Sequence, residues 1–85
     1  MGYHTAQFDG RQPAPAALFS AHRLRRSYGR AAYRLAPMNA GVCDAYAVAL
    51  AEAGDLAGAR QLAAKAVVLA PGDPVIATHA RRIAA

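Results

Sequence analysis

The tripeptide Leu-Ala-Pro occurs twice in this chain, at Leu35-Ala36-Pro37 and at Leu69-Ala70-Pro71. The copies are 34 residues apart, a period at which helix-turn-helix units stack side by side. The register runs beyond the tripeptide, because Ala32 matches Ala66, an apolar Tyr33 matches Val67, and a helix-capping Asn39 matches Asp73. In each copy a proline follows a helical run, where its ring and missing N–H end the helix, and a capping residue then opens the next one. The repeat therefore predicts an all-α fold, an antiparallel helix-turn-helix stack of about four helices.

The apolar spacing fills in the elements. Residues 1–15 mix Gly2, Gly10, Pro13 and Pro15 with polar residues and show no sustained period, so they read as an irregular arm that Tyr3 and Phe8 pin to the body or to a partner. The helical domain covers residues 16–85. Its first helix carries Ala17, Ala21, Leu24, Tyr28, Ala31 and Leu35 at alternating intervals of four and three, a heptad-like stripe expected to face the core. Gly29 interrupts that helix and suits a close crossing or a bend. Asn39 caps a second helix with Cys43, Tyr46, Ala47, Leu50 and Ala53 on its apolar side, and Gly54 ends it. Asp55 caps a third, with Leu56, Ala59, Leu62, Ala63, Ala66 and Leu69 inward. Asp73-Pro74 opens a fourth, with Ile76, Ala80 and Ile83 inward.

Size and composition bound what these helices do. A chain of 85 residues buries only roughly 60–65% of its unfolded surface. Hydrophobic residues make up 55%, but alanine supplies a large share and adds little apolar area, so the predicted core is thin. The net charge of +5 belongs entirely to the first half, where six arginines face the single acid Asp9 as far as Val42; beyond it acids and bases balance. Cys43 is the one cysteine, which excludes an intrachain disulfide and favours a reducing cytoplasmic setting. No apolar run approaches the ~20 residues that span a bilayer, and no signal-peptide layout opens the chain.

Residues 40–73 resemble one complete tetratricopeptide repeat. Gly54-Asp55-Leu56 resembles the turn between the paired helices, Ala59 and Ala66 stand at the small packing positions, and Leu69 with Pro71 matches the end of the second helix. Cys43, Tyr46, Ala47 and Ala63 depart from the residues that family favours. Ala32, Leu35 and Pro37 resemble the end of a preceding repeat, and residues 74–85 the terminal solvating helix with which such arrays finish. The resemblance implies an α-solenoid fragment. It also places Asp44, Val48 and Glu52 on a partner-binding groove face, where acids and Val stand at the positions that Lys, Asn and Arg take in the family's carboxylate clamp.

The chemistry-bearing residues point to binding rather than catalysis. Arg23, Arg26, Arg30 and Arg34 recur at helical spacing as a cationic ridge opposite the apolar stripe, with His22 and Arg25 beside it. Such a ridge suits an acidic protein surface or, as the alternative, nucleic acid bound by the Arg-rich first helix. His4, His22 and His79 have no metal-ligand spacing, and Cys43 reads as a small core residue. No phosphate-cradling loop, nucleophile elbow or acid-base pair is present, so no cofactor, metal or catalytic residue is assigned. The expectation is a non-enzymatic protein-protein interaction module, an adaptor or accessory subunit. Self-association is expected through uncovered helix faces at Leu18 and Phe19 on one end and Val75 and Ile76 on the other.

Overall fold

The computed structural model describes residues 14–85, and side-chain environments from Ala21 onward. The expectations for Tyr3, His4, Phe8 and the rest of residues 1–13 lie outside that range, as do those for the side chains of Ala17, Leu18 and Phe19. Four helices follow one another: α1 (Ala14–Leu35), α2 (Ala40–Glu52), α3 (Leu56–Leu69) and α4 (Pro74–Ala84). There is no strand among the described residues. Helix α2 is the centre of the stack and packs against all three others, most extensively against α3.

The two Leu-Ala-Pro sequences fold into the same turn. In the first, the Ala36 amide donates to Ala32 O at 2.9 Å and the Asn39 amide returns to Ala36 O at 3.2 Å. In the second, Ala70 donates to Ala66 O at 2.9 Å and Asp73 to Ala70 O at 3.1 Å. Each turn then presents its cap. Asn39 Oδ1 accepts from the Val42 amide at 3.0 Å, and Asp73 Oδ1 from Val75 and Ile76 at 2.9 and 3.2 Å. These bonds satisfy amide groups that a helix start leaves without partners. Pro74 occupies the first turn of α4, where its missing N–H removes no helical bond.

The turn between α2 and α3 is tighter. Gly54 takes φ of 91°, a left-handed conformation that costs side-chain-bearing residues. Its amide donates to Ala51 O at 3.0 Å, while Asp55 N donates to Leu50 O at 2.9 Å, the paired bonds of a Schellman ending. Asp55 simultaneously caps α3 through Gly58 N at 2.9 Å. One residue thus closes one helix and opens the next.

Small side chains dominate the core. Among the described residues Cys43, Ala47, Ala49, Leu50, Ala59, Ala63, Ala66 and Ile76 are its buried hydrophobic members, and five of these eight are alanine. Cys43, Ala66 and Ile76 meet where α2, α3 and α4 converge, with Tyr33, Leu62, Val67 and Leu69 packed around them. Little apolar area is buried per residue, so close backbone approach supplies much of the contact.

Three expectations are overturned. The heptad-like stripe of α1 faces solvent, not the core: Leu24 is 52% exposed, Tyr28 69% and Leu35 88%. The reason is Gly29, on another side of the helix, where an added Cβ would stand 2.8 Å from Tyr46 Cδ1 and 3.3 Å from Tyr46 Cα. Its missing side chain lets α1 and α2 close together there, with half-buried Ala32, Tyr33 and Ala36 farther along the same side. Leu56, placed with the inward residues of α3, is also exposed, at 47%, in the first turn beside the Gly54-Asp55 connection. Ile76 is buried at 5% exposure, in line with its inward position on α4 and against its expected part in an uncovered end, where of the two residues named only Val75 is open to solvent.

Candidate functional site

At ~100° of rotation per residue, α1 divides into three faces roughly 120° apart. Gly29, Ala32 and Ala36 lie on the α2 side. The apolar seam of Leu24, Tyr28, Ala31 and Leu35 forms a second face, and all four residues are exposed. Arg23, Arg30 and Arg34 project from the third and are exposed, whereas Arg26 is half-buried and turned toward α2. The ridge therefore stands beside the seam rather than opposite it, and Arg26, with Arg23 at its rim, lines a cleft apart from Arg30 and Arg34.

That other surface runs across α1, α2 and α4. Glu52 on α2 accepts from Arg25 Nη1 on α1 at 2.7 Å. Asp44, two turns earlier on α2, has both carboxylate oxygens 2.9 Å from His79 Nδ1 on α4. An ionised carboxylate only accepts, so this geometry places a proton on Nδ1. The two acids assigned to the groove face are thus each engaged by a base from a flanking helix. Val48 lies between them. A shallow cleft of about 210 Å³ is lined by Val48, Ala51, Glu52, His79, Arg82 and Ile83. A second, of about 170 Å³, lies on the α1 side against His22, Arg23, Arg26, Glu52 and Ala53. Glu52 separates them.

The helix-spanning partners were not visible as local motifs. Residues 25 and 52 are 27 apart, and residues 44 and 79 are 35 apart. The second separation carried a usable signal: one 34-residue period maps Asp44 onto Thr78, so the side chain next to Thr78 falls opposite Asp44 once the units stack. Tyr33 makes a further link, accepting from Lys65 Nζ of α3 at 2.8 Å while its ring lies 5.8 Å from that of Tyr46. Cys43 is fully buried, and its thiol donates to Pro37 O at 3.3 Å.

Among the described residues no group of three or more His, Cys, Asp or Glu side chains is assembled as a metal site, and no helix is long and apolar enough to cross a membrane. No known protein-family profile matches this chain, and no curated protein or solved structure matches it either.

Proposed function

We propose that this chain is a non-enzymatic protein-protein interaction module, an adaptor or accessory subunit, built as a tetratricopeptide-like solenoid fragment. The observation that carries the reading is the strip across three helices in which Asp44 and Glu52 are held by His79 and Arg25 with Val48 between them. The clefts beside Glu52 are smaller than the ~300 Å³ at which small-molecule sites begin, and they are shallow, which suits single side chains of a partner better than an enclosed substrate. The duplicated Leu-Ala-Pro turn supports the solenoid assignment, with α4 as its solvating end. A reducing cytoplasmic compartment suits the single buried thiol.

The test is affinity capture by the full chain from its own cell, repeated with Val48→Gln and Arg82→Glu. Loss of the same captured protein from both variants, each still folded, is the expected result. The arginines of α1, Arg23, Arg26, Arg30 and Arg34 among them, favour one second reading, nucleic-acid binding, because a +5 charge concentrated on one helix attracts phosphate. Tight duplex or single-strand binding at near-physiological salt, lost when Arg30 and Arg34 become Gln, would replace the first reading with the second.

A further inference from the structure

The exposed seam of α1 is a separate surface from the groove across α2. Its 4-3 spacing is the pattern with which one helix receives another, knob into hole. Beside Tyr28 the surface is indented as well: Arg25, Tyr28, Gly29, Ala32 and Ala45 line a cleft of about 340 Å³ between α1 and α2. In heptad terms Leu24 and Ala31 occupy d, Tyr28 and Leu35 occupy a, Arg25 stands at flanking position e and Arg34 at g. Helix α1 contains no Asp or Glu.

Charge decides the occupant. Arg34 is exposed at the seam's edge and Arg30, one turn earlier at outer position c, is exposed on the adjoining face, and neither has an ion-pair partner among the described residues. In a second copy the four side-chain carboxylates of those residues already have partners, Asp44 in His79, Glu52 in Arg25, and Asp55 and Asp73 in the amides they cap, so an arginine of another copy would have to compete for them. A membrane-surface helix relies on a broad face of large apolar side chains, whereas here Leu24, Tyr28 and Leu35 form a narrow seam with small Ala31 within it and small Ala32 beside it. Small residues of that kind admit the backbone of another helix.

We propose that α1 docks an acidic amphipathic helix of another protein, its apolar side chains set along Leu24, Tyr28, Ala31 and Leu35 and its Asp or Glu residues against Arg30 and Arg34. The surface is independent of the groove reading, so Val48→Gln is expected to leave this binding unchanged.

The experiment titrates the full chain with a synthetic peptide of about three heptads carrying Leu at a and d and Glu at e and g. Its counterpart carries Lys at e and g. The Glu peptide is expected to bind at least about tenfold tighter than the Lys peptide, an advantage that shrinks with salt. Leu24→Ser with Tyr28→Ser is expected to weaken it at least about tenfold, and Arg30→Gln with Arg34→Gln by several-fold, both with unchanged circular dichroism. The two-peptide comparison uses the unmodified chain, so it stands even where a variant fails to fold. Equal binding of the peptides, or no binding, overturns the proposal. Sedimentation showing a dimer abolished by Leu24→Ser would give the seam to a second copy and overturn it too. Binding to phosphatidylserine vesicles that depends on Leu24 and Tyr28, without peptide binding, would overturn it in favour of a lipid surface.

Discussion

Gly29 of α1 and Tyr46 of α2 approach so closely that a single added methyl group at Gly29 would stand 2.8 Å from the Tyr46 ring. The ring has little room to withdraw, since Tyr33 lies against it at 5.8 Å between centroids. Gly29→Ala therefore sets two effects against each other. Helix propensity favours alanine by about 1 kcal/mol, and overpacking costs about 1–3 kcal/mol. The contact with Tyr46 Cα at 3.3 Å makes the backbone move as well, so the cost wins. Thermal denaturation is expected to show a midpoint several degrees lower, and a raised midpoint would contradict the close crossing.

Ala59 and Ala66 are fully buried in α3, Ala66 against Cys43 and Ile76. Leucine at either position has no void to enter. Each substitution is expected to cost about 1–3 kcal/mol in urea denaturation. Two unchanged midpoints would mean that α3 does not pack through its alanines.

The helix caps allow a graded prediction. Asn39→Ala removes one bond, to Val42 N, and is expected to cost about 1 kcal/mol. Asp73→Ala removes a charged acceptor of two amides, at Val75 and Ile76, and is expected to cost more. Equilibrium unfolding of the two variants side by side checks the order.

The cross-helix pairs differ in shelter. Arg25 and Glu52 are 56% and 37% exposed, so a double-mutant cycle is expected to give a coupling of only about 0.2–1 kcal/mol that fades with added salt. His79 and Asp44 are 32% and 14% exposed, and their coupling is expected to be larger and less salt-sensitive. A stronger Arg25–Glu52 coupling would reverse that ranking.

Local chemistry makes the ends of the helices legible in the sequence. Pro37, Asn39, Gly54, Asp55, Pro71 and Asp73 act on their own turns, and each does what its side chain or backbone freedom dictates. The facing of α1 was not legible in the same way. Periodicity locates an apolar stripe but does not say which neighbour covers it, and here Gly29 outweighed Leu24, Tyr28 and Leu35 because it lets two backbones meet. The small side chains at Gly29, Ala32 and Ala36 were the readable clue. Asp44 and Glu52 were placed on one strip from the sequence, while their partners Arg25 and His79 emerged only when distant helices came together.

Cys43 gives the molecule a clock of its own. Its sulfur is enclosed where α2, α3 and α4 converge, and it is tied by its proton to the carbonyl of Pro37 in the first repeated turn. A thiol reagent dissolved around the folded chain reaches that atom only when a helix lifts or the turn loosens. As the chain's only cysteine, it reports without competition from any other sulfur. The pace of labelling thus counts opening events at the junction of the stack with no foreign probe attached, and slowing of that pace by a bound partner would measure how far docking on an outer helix tightens the interior.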